Sequence, residues 1–302
     1  MIRPPRLRPG DVVRVVAPSG PVPREGFLAG LARLAARYEV RHDEGLFARD
    51  GYLAGDDERR LTELRDALLD PAARAVIMAR GGYGLGRILP FLDPEWLRQR
   101  PVPLVGFSDG TTLLAYAARA GVTAVHGPVV TQLGGLPETD AQGLIRLLEE
   151  PEPGMLLSEL EGLVPGRARG RLIGGNLEVF SRLLGTPFLP DVSDAILLIE
   201  DLGERPYRVD RLLTHLDLAG VFSAVQGVVV GEFGGCLEPE ATRASSPTAA
   251  QVIEERLGRL AIPVVTGASV GHGSRNVAVP LGALVELDAL NGTLTALEGA
   301  VS

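Results

Sequence analysis

The sequence is poor in residues that crosslink proteins or bind metals. Among its 302 residues are one cysteine, Cys236, one tryptophan, Trp96, and four histidines. A single cysteine excludes an intrachain disulfide and a thiolate metal cluster. Neither a His-x-x-x-His spacing nor a paired acidic cluster indicates a metal centre, so we expect no metal and no cofactor.

The chain also lacks an excess of basic residues and a long apolar run. Thirty basic against 38 acidic residues give a formal net charge of −8, which argues against binding to a nucleic acid backbone. The apolar stretches at 195–199 and 227–231 are far shorter than the roughly 20 residues of a membrane span. Arg14 and Pro18 interrupt the first apolar run, unlike a secretory signal. We therefore expect a cytoplasmic protein that binds neither nucleic acid nor membrane.

The first half of the chain alternates short β-branched runs with amphipathic segments. Strands are predicted at 12–17, 102–107 and 122–127, and helices at 24–38 and 57–70. Such alternation is typical of a parallel sheet covered by helices on both faces. We predict an α/β domain over residues 1–150.

The second half changes character after a segment rich in Pro, Glu and Gly at 151–170, which we interpret as an interdomain linker. Residues 171–302 are predicted to form a β-rich α+β domain. It includes a helix over 176–185 that ends at Gly185 and a C-terminal hairpin turning at Asn291-Gly292.

The sequence Gly-Phe-Ser-Asp-Gly at 106–110 matches the Gly-x-Ser-x-Gly pattern of a serine nucleophile between a strand and a helix. The N–H of Asp109 would point at an oxyanion from the start of that helix. Alternatively, Ser108 or Asp109 only caps the helix. The motif alone leaves both interpretations open.

A serine nucleophile needs a base, and the four histidines differ in context. His42 lies in a polar loop, and His215 faces away from the apolar stripe of its helix. His126 ends a strand of the first domain and is a reserve candidate. His272, between two glycines after a strand, is ranked first.

The third member of a triad is a carboxylate that orients the imidazole. Glu200 and Asp201 end the very apolar strand at 195–199. Consecutive strand residues point to opposite sides, so only one can face the site, and periodicity does not choose between them. Both could instead be solubilising charges.

The glycine-rich turn at 79–87 follows a predicted strand and suits the presentation of backbone N–H groups to an anion. It departs from Gly-x-Gly-x-x-Gly at Arg87, so it is better interpreted as a second oxyanion donor beside Ser108 than as a nucleotide site. Arg80 and Arg275 adjoin the motifs and are candidates for binding a substrate carboxylate.

Six segments of the chain form an ordered set: ARGGYG, GFSDGTTLL, HGP, GGNLEVFSRLLGTPFLP, AILLIEDLGERPYRVDRLLTHLDLAG and GASVGHG. They occur in the same order in the LD-carboxypeptidases of the S66 serine peptidase family, and the chain resembles this family. The resemblance implies a flavodoxin-like N-terminal domain, a β-rich C-terminal domain and usually a homodimer. The implied activity is removal of the C-terminal D-alanine from murein tetrapeptides.

By the same resemblance, the triad is Ser108, Glu200 and His272, which favours Glu200 over Asp201 and His272 over His126. The implied oxyanion donors are the N–H groups of Asp109 and Gly82.

Three other functions stay open from the sequence. Microcin self-immunity peptidases share the resemblance, but they carry additional aromatic residues over the site. An α/β-hydrolase esterase shares the Ser, acid, His order and would have one continuous sheet without a second β-rich domain. The third is a non-catalytic binding protein with the same two-domain shell.

Overall fold

A computed structural model describes residues 1–243 and 245–302 of the chain. The strands are β1 (Val12–Val16), β2 (Glu39–Arg41), β3 (Ala73–Met78), β4 (Leu104–Gly106), β5 (Ala124–His126), β6 (Met155–Leu157), β7 (Glu161–Val164), β8 (Arg167–Asn176), β9 (Ala195–Leu202), β10 (Gly227–Gly234), β11 (Val264–Thr266), β12 (Val279–Leu281), β13 (Leu284–Asp288) and β14 (Thr293–Ala296). The α-helices are α1 (Arg24–Ala35), α2 (Asp57–Leu69), α3 (Leu85–Ile88), α4 (Pro94–Gln99), α5 (Thr111–Arg119), α6 (Val130–Leu133), α7 (Glu138–Glu149), α8 (Leu177–Ser181), α9 (Pro206–Leu218), α10 (Val221–Ala224), α11 (Glu240–Arg243) and α12 (Ala249–Leu257).

The first sheet has the order β12-β5-β4-β3-β1-β2. Strands β1 to β5 are parallel, and their spatial order 2-1-3-4-5 is that of flavodoxin-like folds. The edge strand β12 comes from the second half of the chain and pairs antiparallel with β5. The predicted flavodoxin-like α/β fold of the N-terminal half is confirmed.

The second sheet has the order β6-β14-β13-β8-β9-β10-β11-β7. Strands β8 to β11 are parallel, whereas β13 and β14 form the antiparallel hairpin predicted from the sequence. Helices α9 and α12 pack together on this part of the molecule. The β-rich character of the C-terminal half is confirmed.

The segment 151–170, which we expected to be a linker, has regular structure. It contains β6, β7 and the first residues of β8, and the first two are the edge strands of the second sheet, paired with β14 and β11. Gly166, with φ +148°, makes a tight turn between β7 and β8. The Pro and Gly residues here mark turns between short strands, so the segment belongs to the second sheet. The domain limits themselves stay a prediction.

The helix predicted over 176–185 is shorter than expected. The observed helix α8 ends at Ser181. The Ser181 hydroxyl donates to the carbonyl of Leu177, and the next N–H groups bond three residues back: Leu183 to Phe180 and Leu184 to Ser181. This competing side-chain bond and the tighter turns end the α-helix four residues early.

Helix α5 lies where the two sheets meet. Its buried residues Leu113 and Leu114 share one hydrophobic core with Leu172 of β8 and Leu198 of β9. Burial of large aliphatic side chains contributes roughly 1.5–3 kcal/mol each. The turn that precedes α5 is therefore fixed at the junction of the sheets. Within the described residues, we find no helix with the length and apolarity required to cross a membrane.

Candidate active site

Ser108 begins a single 3₁₀ turn, Ser108–Gly110, that connects β4 to α5. Its φ is +60°, a left-handed conformation that costs a non-glycine residue about 1–2 kcal/mol. The flanking glycines leave room for Met78, since a Cβ on Gly106 or Gly110 would lie 2.6 or 2.7 Å from its Sδ atom. The strained serine lines a cavity of about 650 Å³.

Neither Ser108 nor Asp109 caps the helix that follows, since the turn and α5 begin without a side-chain cap. The buried Asp109 carboxylate instead accepts hydrogen bonds from Ser19 Oγ at 2.6 Å and from Leu85 N, at the start of α3, at 2.9 Å. Burial raises the pKa of Asp109 above its usual value. Its side chain thus ties the serine turn to two neighbouring loops, while its N–H lies in the first turn of a helix, where backbone donors lack internal partners.

His272 is hydrogen-bonded to Glu200, with 2.7 Å between Nδ1 and Oε2. Glu200 is fully buried at the end of β9, whereas the His272 ring is partly exposed and lines the same cavity as Ser108. Gly271 makes this contact possible, because a Cβ there would lie 2.5 Å from Glu200 Oε2. A buried carboxylate fixes the orientation of the imidazole and stabilises its cation.

The loop that carries His272 is held by the first half of the chain. Gln132 of α6 donates to the carbonyl of Gly271 at 3.1 Å and accepts from the Asn276 side chain at 2.8 Å. Asp140 of α7 accepts from the Asn276 N–H at 3.0 Å and from Arg275 at 2.7 Å. These bonds join residues 135 to 144 positions apart, so the two halves of the chain assemble the site together.

The ring of Phe107 packs against His272, with 4.7 Å between ring centroids. Phe107 directly precedes Ser108, so the imidazole is positioned against the serine turn. In the described residues, the Ser108 hydroxyl and the ring share a cavity wall without a direct hydrogen bond. Such bonds are often long in unliganded enzymes and tighten when substrate binds.

The other histidines do not reach this cavity. His126 is completely buried at the end of β5, and desolvation lowers its pKa to about 4. His42 is half-buried against Phe27, and His215 is exposed on α9. Buried as it is, His126 has no access to substrate, so the structure does not support the reserve candidate.

Asp201 also lines the cavity, but its carboxylate anchors α8 instead of His272. It accepts hydrogen bonds from Asn176 Nδ2, Glu178 N and Leu202 N at 2.8–3.0 Å. Burial raises the pKa of Asp201 to about 6. The two adjacent carboxylates at the end of β9 therefore have different partners, as strand geometry requires.

The glycine-rich turn at 79–87 packs directly on the nucleophile loop. A Cβ on Gly81 would lie 2.7 Å from Ser108 Cβ and 2.9 Å from its Oγ, and the Gly81 carbonyl accepts from Gly20 N at 3.0 Å. Gly82, with φ +110°, lines the cavity beside Ser108. Sequence analysis identified the turn but not the steric requirement for glycine at position 81.

The two candidate arginines differ in surroundings. Arg80 lines the cavity, and its guanidinium donates to the carbonyl of Pro21. Arg275 is committed to the buried carboxylate of Asp140. Arg80 is thus the better placed of the two to meet an anionic group.

Sequence analysis missed the residues that hold the His272 loop, namely Gln132, Asp140 and Asn276. It also missed Glu232, whose carboxylate occupies the space beside Gly273, where a Cβ would overlap it. Burial raises the pKa of Glu232, and the nearby Glu200 charge raises it further. No periodicity or motif links such distant positions, so only proximity in the fold reveals them.

Comparison with known proteins gives matches over both halves of the chain. Residues 13–127 match the family model of the LD-carboxypeptidase N-terminal domain, and residues 169–287 match that of the LD-carboxypeptidase C-terminal domain. A Bacillus subtilis protein named probable murein peptide carboxypeptidase is 35% identical, covering 99% of this chain and 95% of its own. The murein tetrapeptide carboxypeptidase of Pseudomonas aeruginosa is 34% identical, covering 91% and 92%.

Solved structures share the fold. The muramoyltetrapeptide carboxypeptidase of Oxalobacter formigenes matches with a TM-score of 0.83 and 29% identity, over 95% of this chain and 98% of its own. A microcin C7 self-immunity protein bound to aspartyl sulfamoyl adenosine matches with a TM-score of 0.90 over both full chains, but at 24% identity. Matches to both domains of one family and relatives above 30% identity over nearly the whole chain lead to one conclusion: the chain belongs to the LD-carboxypeptidase family, S66, and is a peptidase.

Proposed function

We propose that the protein is a serine carboxypeptidase that releases the C-terminal D-alanine from murein tetrapeptides. The observation that carries the proposal is that the Glu200-bound His272 ring and the strained Ser108 line the same cavity. The names of the relatives support a murein peptide as substrate.

In the proposed mechanism, His272 takes the proton of the Ser108 hydroxyl as it attacks the carbonyl that precedes the terminal D-residue. The negative charge on the carbonyl oxygen is stabilised by the N–H groups of Asp109 and Gly82. His272 then protonates the leaving amine, and D-alanine departs from an acyl-enzyme. Water, activated by His272, releases the shortened peptide. Glu200 orients the ring throughout.

The experiment is to incubate the protein with a murein tetrapeptide and measure free D-alanine. The wild type is expected to release it, and Ser108→Ala to lower kcat by at least about 10³-fold. A tetrapeptide that ends in L-alanine serves as the substrate control. Absence of D-alanine release would refute the proposed substrate, and turnover by Ser108→Ala at the wild-type rate would refute the serine mechanism.

The alternatives are weakened to different degrees. The second, eight-stranded sheet does not fit an α/β-hydrolase esterase with one continuous sheet. The microcin-type function rests on a similarity in fold. An amide-linked nucleotide offered in the same assay tests this function, because faster cleavage of the nucleotide than of the tetrapeptide would favour it.

The homodimer and the cytoplasmic location stay predictions. Light scattering can test the first and cell fractionation the second.

A further inference from the structure

Two buried polar side chains beside the serine turn lack hydrogen bonds. His126 and Glu200 have no exposed surface. In the part of the chain that the structure describes, residues 1–243 and 245–302, neither ring nitrogen of His126 has a hydrogen-bond partner, and nor does Oε1 of Glu200. The other carboxylate oxygen, Oε2, contacts His272. A buried donor or acceptor without a partner is costly, above all when the group is charged. Both side chains therefore need a further partner.

The fold brings these two groups near each other. Phe107 packs against two imidazoles, with 5.9 Å between its ring centroid and that of His126, and 4.7 Å to that of His272. On β8, a Cβ on Gly175 would lie 3.3 Å from Cδ2 of His126, and the residue after Gly175 pairs with Glu200 on β9. His126 thus lies between Phe107 and the pair of strands that carries Glu200.

The protonation state of His126 makes it a donor without charge. Burial lowers its pKa to about 4, whereas the nearby Glu200 charge and the carbonyl of His126 itself act in the opposite direction. At neutral pH the ring is therefore uncharged and carries one N–H. Such a donor satisfies a buried carboxylate without placing a second positive charge beside the one that forms on His272.

We propose that His126 is a positioning residue, whose ring N–H holds Oε1 of Glu200 through one buried water. Buried polar groups that do not bond each other directly are commonly bridged in this way. The bridge fixes the carboxylate on the side that His272 does not contact. This inference rests on the proposed function, in which Glu200 is the acid of the triad.

The titratable groups around Glu200 determine the expected effect of pH. His272 contacts it directly, and Asp201 is its neighbour on β9. His126 and Glu232 lie close enough to interact with its charge. When the donor to Oε1 is removed and the other groups stay, the carboxylate attracts the imidazolium proton more strongly. The ring of His272 then keeps its proton to a higher pH.

The test is to titrate His272 by NMR in the wild type and in His126→Leu. This substitution should raise the titration midpoint of His272 by about one pH unit and move the acid limb of kcat/KM upward by the same amount. His126→Asn and His126→Gln place an amide N–H near the positions of Nδ1 and Nε2, so one of the two should restore the wild-type midpoint. His215→Leu, on the exposed side of α9, is the matched control and should leave the midpoint unchanged.

An unchanged midpoint in His126→Leu, or a shift that neither amide variant reverses, would overturn the inference. A crystal structure of the wild type gives an answer that does not depend on the folding of any variant. It should show a water within about 3.2 Å of both the His126 ring and Oε1 of Glu200, and its absence would overturn the inference as well.

The D-alanine assay on the wild type is evaluated separately. Release of D-alanine without the shift in His126→Leu would refute only the role of His126. The shift without release of D-alanine would refute only the proposed reaction.

Discussion

The imidazole Nδ1 of His272 lies 2.7 Å from Oε2 of Glu200, a carboxylate without exposed surface. We expect Glu200→Gln to lower kcat by about 10³–10⁴-fold, because an amide holds the wrong tautomer and does not stabilise the cation. Steady-state kinetics of D-alanine release checks this. The control is Glu286→Gln on β13, whose carboxylate pairs with Arg169 and lies outside the cavity lining, and which should change kcat by less than about tenfold. Similar kcat values for both variants would contradict the assigned roles.

Gly81→Ala should impair the nucleophile. The added Cβ would lie 2.7 Å from Ser108 Cβ, so the serine turn must shift. We expect kcat/KM to fall by about 100-fold, since small displacements of reacting groups have effects of this size. Gly86→Ala is the matched control, because a Cβ there meets nothing within 4 Å. Equal activity of the two variants would show that the contact is unimportant.

Gln132→Ala should loosen the loop that presents His272, since it removes the bonds to Gly271 and Asn276. We expect kcat to fall about tenfold or more while the midpoint of thermal unfolding changes little. Gln142→Ala on α7 is the control, since its amide donates to the exposed Glu138 of the same helix. An unchanged kcat in Gln132→Ala would mean that other contacts suffice to hold the loop.

Arg80→Ala should raise KM for the tetrapeptide about tenfold if the guanidinium meets a substrate carboxylate, because such charged hydrogen bonds contribute roughly 1.5–3 kcal/mol. Arg74→Ala is the control, since its guanidinium also donates to a proline carbonyl, that of Pro71. Initial-rate kinetics on both variants makes the comparison. A KM equal to that of the control would exclude Arg80 as the carboxylate partner.

His126 should make stability depend on pH. Its pKa is lowered to about 4 by burial, so between its ordinary value of about 6.5 and pH 4 the unfolded chain binds a proton that the folded chain does not. The free energy of unfolding should therefore fall by about 3 kcal/mol as pH drops through this window. Urea titrations at pH 7 and pH 4.5 should show a smaller loss in His126→Leu. An identical pH dependence in both proteins would refute this.

Much of the fold follows from local patterns. The strand at 12–17, the helix at 57–70 and the hairpin at Asn291-Gly292 are predicted because apolar periodicity and turn chemistry act over a few residues. The same local evidence misled at 151–170, where Pro and Gly mark turns between edge strands. It also extended α8 past Ser181, whose hydroxyl competes for the helix backbone.

By itself, the sequence determined the alternation that gives a flavodoxin-like half and a β-rich half, and it placed a serine in a strand-to-helix turn. Apart from the family resemblance, only the tertiary structure decided which histidine meets which carboxylate, because that contact joins positions 72 residues apart. It also decided that Asp109 ties loops together and that Gln132 holds the His272 loop. Periodicity reports which face of an element is buried, whereas the neighbours of a buried polar group depend on how the elements pack.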